Sequence, residues 1–561
     1  MRFEFKAGLL LLTGILSVLA FSLACGAEST ATPAPKATSV PAATSAPVAP
    51  TSAPQFTATR IPGTPTLTAA VKPTYGGTIR YPLSISIDAP DPAYSNLTGT
   101  RGVMLAIFDN IVEFTPDGPI SPGLTRSWAF SSDGKIITFN LTRNARFTDG
   151  TRVDATAVKW NFDRYLDKSV GSPRSAEIAP PLERVEVVDD FTVRLYLSTA
   201  FRPLLAQLTQ QAGHIASPKA VQDTNSYANR TGAFGRNPIG SGPFRLKEWA
   251  PGLRFSFVRN EGYWQEGLPY VDAVEMPIIG DTQIQFAMLR TGEVDVMERM
   301  SPENLDIAKR NPKLRVVNVE GVSTEFMLFR VTTSPWNNKT LRQAFAYAVD
   351  RQAVADVVFF GRARPAQSAV GPMYGPWFDS TIQVYDYNPK KAKELLAQAG
   401  YPNGFSFDAP CRTGNPDGTT CEVLQASLKE SGITMNIKSY ENVDYFNDFT
   451  ARKHNGPTTS YFSGRPDPSI NLRRVFHSKS NAYRMDYINP EMDRLIEQAE
   501  GVYDVAAGKQ IYRQMLMLLA EDAPAVYLAW WDIFFGLRDN VRNFTAVADG
   551  LPRFRDTWLQ R

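Results

Sequence analysis

Apolar and polar positions alternate in short runs through the first half of the chain, and Asp-Gly corners cut the runs apart. Ile136-Ile137-Thr138-Phe139-Asn140-Leu141 lies between Asp133-Gly134 and Asp149-Gly150, inside a longer alternating stretch over residues 128–147. A period of two bounded by turn residues predicts a hairpin or meander. Val185-Glu186-Val187-Val188, the corner Asp189-Asp190 and the run Thr192–Leu197 predict a second hairpin. Between the two, Ala155–Leu166 has helical spacing behind Asp154, a side chain able to accept from the free amides of a first turn. Residues 76–81 predict an opening strand.

From Thr340 the period lengthens. Residues 341–350 carry apolar positions at helical spacing, and Asp350-Arg351 is expected to end that helix and pair locally. Asn388-Pro389 opens another helix that Gly400 closes, and Asn489-Pro490 opens a third in the same way. Helices and strands mix without a regular βαβ period or an internal repeat. The class is α/β or α+β, in several lobes.

The N-terminal 73 of the 561 residues do not have the pattern of a folded domain. Arg2 and Lys6, diluted by Glu4, precede an uncharged and mainly apolar run over residues 7–24, and Cys25-Gly26 follows. That layout is a secretory signal peptide over residues 1–24, with an uncleaved anchor helix as the alternative. Residues 27–73 are dominated by Ala, Thr, Pro and Ser, a composition that buries too little apolar surface to fold. The segment reads as a tether, extended at roughly 3 Å per residue and so reaching on the order of 140 Å; a proline-rich recognition motif is the alternative. Roughly 490 residues remain, enough for about three domains or two unequal lobes. A net charge of +3 provides no field for nucleic acid.

Cys411 and Cys421 flank Asn415-Pro416-Asp417-Gly418. A turn there would bring the thiols together, and an exported compartment permits their oxidation to a disulfide. A metal site is the rival, but no histidine or further cysteine lies nearby. Three histidines, His214, His454 and His477, form no metal-ligand spacing, and no phosphate loop, nucleophile elbow or CxxC pair occurs. Gly240-Ser241-Gly242-Pro243 reads as a structural corner rather than a nucleophile turn. No catalytic residue, metal ligand or cofactor is assigned.

Ser22-Leu23-Ala24-Cys25 resembles a bacterial lipobox, in which the cysteine is lipidated; it departs from the pattern in having Ser22 where leucine is usual. Further motifs follow in order: Gly76-Gly77-Thr78, Asp91-Pro92, Phe108-Asp109-Asn110, Pro122-Gly123-Leu124, Asn237-Pro238-Ile239-Gly240-Ser241-Gly242-Pro243-Phe244, Arg259-Asn260-Glu261-Gly262-Tyr263-Trp264, Gly292-Glu293-Val294-Asp295, Arg342-Gln343-Ala344-Phe345, Ala399-Gly400-Tyr401-Pro402 and Asn489-Pro490-Glu491-Met492. From about Tyr75 to the C-terminus the chain resembles the family 5 extracellular solute-binding proteins of bacterial ABC importers. The resemblance implies an α/β, two-lobe periplasmic-binding-protein-like fold with a satellite domain and a hinged cleft. Lobe I would comprise residues 74–109, 235–322 and 525–561, the satellite 110–234, and lobe II 323–524; residues 25–73 form the lipidated tether. Trp128, Trp249 and Trp264 are expected as core or lobe-interface anchors.

The implied function is capture of a peptide or peptide-like solute for ABC permease subunits, by an extracytoplasmic monomer, in the periplasm or at the outer face of the cell membrane, that meets the membrane through its lipid anchor alone. An opine, oligosaccharide or metal chelate is the alternative ligand, and an extracellular hydrolase or adhesin-like protein the alternative class. In peptide-binding relatives a segment ending in Asp-Pro supplies an aromatic residue and a carboxylate for the ligand amine. Here it reads Tyr461-Phe462-Ser463-Gly464-Arg465-Pro466-Asp467-Pro468. Tyr461, Phe462, Arg465, Asp467 and, near the first-lobe cleft, Asn96 are the candidate ligand residues. Gly464 falls where the amine-binding carboxylate is expected, and Arg465 suggests an acidic ligand instead.

Overall fold

A computed structural model of the chain describes residues 72–561, apart from 84–86, 96, 116–119, 179–180, 414–415, 442–443, 446–447, 450–452, 455, 463, 466, 481–485 and 548. Cys25, the signal-peptide and tether readings, and Asn96 therefore lie outside the described residues.

The alternation in residues 136–141 becomes the inner face of an antiparallel sheet. Its strands run in the order Thr125–Phe130, Ile136–Leu141, Thr192–Leu197, Leu182–Asp189. Ile137, Phe139 and Leu141 are buried with Val193, Leu195 and Leu197, while the intervening positions keep some exposure. The helix Ala155–Leu166 contributes Val158 and Phe162 to that core, and Asp154 caps it by accepting from the Ala157 amide at 2.9 Å. Trp128 packs on the edge of this cluster.

A second core forms around a mixed sheet. Thr78–Arg80 pairs in parallel with Ala273–Pro277, which pairs antiparallel with Arg254–Arg259 and through it with Phe244–Ala250. Trp249 stacks on Phe255 at 5.3 Å. The corner at residues 240–243 joins the two cores. Both glycines are required there: a Cβ on Gly240 would lie 2.2 Å from the Ile107 carbonyl oxygen, and one on Gly242 2.5 Å from the Ile107 carbonyl carbon. Ser241 donates to Asp109 at 3.0 Å, and Asp109 also accepts from Tyr263 at 2.9 Å and from the Trp264 indole at 2.8 Å. The serine is tied into the structure as a corner residue.

Two long strands, Leu314–Leu328 and Ala525–Arg538, pair antiparallel from Leu314 opposite Arg538 to Leu328 opposite Ala525. Their first half lies against the mixed-sheet core through Val317, Val319, Ile533 and Phe535. Their second half enters the other lobe through Met327, Leu328, Val526 and Leu528. The register shifts between Val319 and Ser323, where the strands pass from one lobe to the other.

The helix expected at 341–350 spans Lys339–Ala348. Asp350 does not end it but caps the next turn, accepting from the Ala353 amide at 2.9 Å. Arg351 does not pair with Asp350. Buried, it donates locally to the carbonyls of Ala346 and Val349 and at longer range to those of Tyr527 at 2.8 Å and Tyr385 at 2.9 Å, the way a buried guanidinium is satisfied where no carboxylate reaches it. The asparagine caps behave as read: Asn388 accepts from Lys391, and Asn489 from Glu491 and Met492. Asp417 opens the helix Asp417–Glu430, which joins the parallel strands Phe405–Arg412 and Ile433–Tyr440. The structure joins Cys411, near the end of the first strand, to Cys421 in that helix, with Cα atoms 6.4 Å apart.

Candidate functional site

The second half of the long strand pair carries a third strand, Thr458–Phe462, antiparallel to Leu314–Leu328 with Tyr461 opposite Glu325 and Thr459 opposite Met327. Side chains alternate across a sheet. Tyr461 therefore shares one face with Glu325 and Thr459, and Phe462 turns to the other. Phe462 is core: it packs on Phe326 with ring centroids 4.4 Å apart. Tyr461 keeps partial exposure, stands edge-on to Trp531 at 6.0 Å, and has the Arg412 guanidinium 5.9 Å from its ring. Arg299, from the first lobe, stands close enough to interact electrostatically with the Tyr461 hydroxyl.

Beyond the strand, Gly464 is buried and Arg465 partly so. The Arg465 Nε is enclosed and has no hydrogen-bond partner. Burial, with Arg474, Arg101 and Arg174 adding like charge, pulls its guanidinium down to about 9, against the opposing pull of Glu177. Arg101 comes from the helix Thr98–Ile107 and pairs with Asp549 at 3.5 Å. Arg174 comes from the helix Pro173–Ile178 and pairs with Glu177 at 2.9 Å. Arg101 and Arg174, from two other parts of the fold and each with a carboxylate partner of its own, thus add positive charge around Arg465.

Asp467 has a different setting. It accepts from the Ser469 amide at 3.0 Å and the Ser469 hydroxyl at 2.7 Å, capping the helix Pro468–Phe476, and it pairs with Arg202. These bonds occupy it in fixing the loop that presents Arg465. Sequence reasoning missed Glu325, Arg412 and Arg202. Nothing local marks Glu325 in Thr324-Glu325-Phe326-Met327, because only the strand register shows that it lies opposite Tyr461. Among the described residues, no group of three or more His, Cys, Asp or Glu side chains could hold a metal ion. No helix among them is long and apolar enough to cross a membrane.

The family model for bacterial extracellular solute-binding proteins, family 5 Middle, matches residues 119–483. The chain belongs to this family. It is 28% identical over 478 residues to heme-binding protein A of Haemophilus influenzae, covering 80% of this chain and 86% of that protein. It is 27% identical over 480 residues to the dipeptide-binding protein of Escherichia coli, covering 81% and 89%. Among solved structures, an ABC transporter-associated periplasmic binding protein from Helicobacter pylori, in complex with the peptide STSA, superposes with a TM-score of 0.77 at 24% identity, over 87% of this chain and 99% of that one. The fold is the two-lobe α/β architecture of periplasmic binding proteins, with a satellite domain and a cleft spanned by the long strand pair.

Proposed function

We propose that this chain is the extracytoplasmic binding component of an ATP-driven importer, and that it captures a peptide-like solute through a carboxylate of that solute. Arg465 carries the reading. A guanidinium with an enclosed, unpartnered Nε, facing Arg101 and Arg174, is costly to bury unless an anion completes it. Planar paired donors suit a carboxylate. An opine or other polycarboxylate would meet the same groups, whereas an uncharged oligosaccharide would leave them unsatisfied. The similarity to a dipeptide-binding relative and to a structure holding a peptide favours the peptide-like solute.

On this reading Tyr461 packs against the solute, and Asp467 and Phe462 hold the loop behind it. The lobes comprise residues 74–109, 235–322 and 525–561 on one side and 323–524 on the other, with 110–234 as the satellite. Residues 1–24 direct export, Cys25 carries the lipid, and residues 27–73 let the monomer reach its permease. Closure around the solute buries it, and differential affinity for the closed form reports occupancy to the permease.

The test is mass spectrometry of the small molecule that co-purifies with residues 74–561, followed by calorimetry on its acidic and amidated forms. Arg465→Ala should weaken the acidic form by about 1.5–3 kcal/mol, roughly ten- to hundredfold. Equal binding by the variant would sink the assignment of Arg465 and leave family membership untouched.

A further inference from the structure

Gly464 removes a carboxylate from the loop, but a carboxylate stands on the neighbouring strand. Glu325 is 0% exposed, and neither of its carboxylate oxygens has a hydrogen-bond partner. It lies opposite Tyr461 in register, and opposite Ala529 on the other side. Trp531, two positions on from Ala529, stands beside it and brings its buried indole N–H toward the carboxylate. The Thr420 hydroxyl, in the adjoining helix, is buried and unpartnered too. Buried polar atoms are almost always satisfied. A buried carboxylate with neither oxygen fully hydrogen-bonded, next to partly exposed Tyr461 and Trp531, is an exception that a ligand cation would resolve.

We propose that Glu325 is the ligand-binding carboxylate of this protein, taking a cationic nitrogen of the solute in place of the acid absent at Gly464. The proposal rests on the peptide-like reading above and extends it: the solute carries an ammonium group at Glu325 as well as a carboxylate at Arg465. The charged and titratable groups facing Glu325 are Asp417 and Arg412, paired with each other at 2.5 Å, together with Tyr461, and Arg299 beyond it. Asp417 and Arg412 cancel, so an ionised Glu325 would leave one negative charge for an incoming cation to neutralise. Burial first, and then Asp417, hold the empty carboxyl protonated by pushing its pKa well above the ordinary range. Capture of an ammonium group then ionises Glu325 and passes its proton to the buffer: the O–H bond breaks, and the N–H groups of the cation donate to the carboxylate left behind.

The test uses the full chain and six probes, the free, N-acetylated and C-amidated forms of Ser-Thr-Ser-Ala and of Ala-Ala-Glu. In calorimetry the free peptides should bind with release of a proton, seen as a heat that changes between phosphate and Tris. N-acetylation should weaken binding roughly ten- to hundredfold. Glu325→Gln should lose the discrimination between free and acetylated forms and the proton release, while its thermal midpoint stays level or rises, because an unpartnered buried acid stabilises nothing. The proposal is overturned if no free-amine probe binds the parent, if acetylated forms bind equally well, or if Glu325→Gln lowers the thermal midpoint. Indifference to C-terminal amidation, with the amine effect intact, would support Glu325 while counting against Arg465.

Discussion

Arg202, just before the helix Pro203–Gln207, grips Asp467 at the head of the helix Pro468–Phe476, with its second terminal nitrogen 3.3 Å from the carboxylate. The same nitrogen donates to the Tyr512 hydroxyl at 3.0 Å and the Ala499 carbonyl at 3.2 Å, and the guanidinium lies 4.6 Å from the Trp377 ring. The Arg202 amide donates to the Glu500 carbonyl at 2.8 Å. One arginine of the sheet-bearing satellite therefore makes a multiple contact with the second lobe, on the residue that fixes the Arg465 loop. Arg202→Ala would leave Asp467 enclosed without a countercharge, a loss on the order of 3–5 kcal/mol. The loss falls on the arrangement in which satellite and lobe touch. We expect a larger radius of gyration in solution scattering and weaker solute binding. A scattering profile and thermal midpoint equal to the parent's would show the contact to be energetically silent.

The pair Cys411 and Cys421 closes a short loop across the strand-to-helix corner before Asp417. In exported protein both thiols should resist labelling until reduced. Cys411→Ala with Cys421→Ala should cost about 2–3 kcal/mol by the chain-entropy account of so short a loop, read as a lower denaturation midpoint. Free thiols in the native exported protein would overturn this.

The elements that could be read from the sequence are those whose signals are local. The alternation at 136–141, the Asp154 cap and the Asn-Pro helix starts each depend on a few neighbouring residues, and each forms as read. In the sequence Asp467 reads only as part of a binding segment, and in the structure it also caps the helix Pro468–Phe476. Glu325 and Arg202 were not legible. Each acquires its setting from a residue more than 130 positions away, Tyr461 and Asp467, through strand register and lobe contact that no local period encodes. Arg351 was only partly legible for the same reason: besides the local carbonyls of Ala346 and Val349, it donates to those of Tyr527 and Tyr385, which come from distant strands and loops.

Anchoring can be tested apart from binding. If Cys25 is the lipid anchor and residues 27–73 the tether proposed above, Cys25→Ala should release the protein into the medium with its thermal midpoint unchanged. Retention of the variant in the membrane fraction would mean that the apolar run over residues 7–24 stays as an uncleaved helix.

His214 gives the fold an acid limit. It is fully buried against Phe108 at 5.7 Å, and neither ring nitrogen has a hydrogen-bond partner. Burial first, with Arg101, Arg553 and Arg174 adding like charge, lowers its imidazole from 6.5 to about 3. The sign follows from proton binding: between those values the unfolded chain takes up a proton that the folded chain refuses. Stability contributed by neutral His214 is therefore complete above pH 6.5 and is lost as pH falls toward 3. The loss is about 2 kcal/mol at pH 5 and approaches ~4–5 kcal/mol at the acid end. His214→Phe keeps a ring against Phe108 and removes the proton site. Urea midpoints at pH 7, 5 and 4 should fall less steeply for the variant than for the parent, with the difference widening as pH drops. Parallel slopes for the two proteins would mean that His214 is protonated, or exposed, in the folded chain.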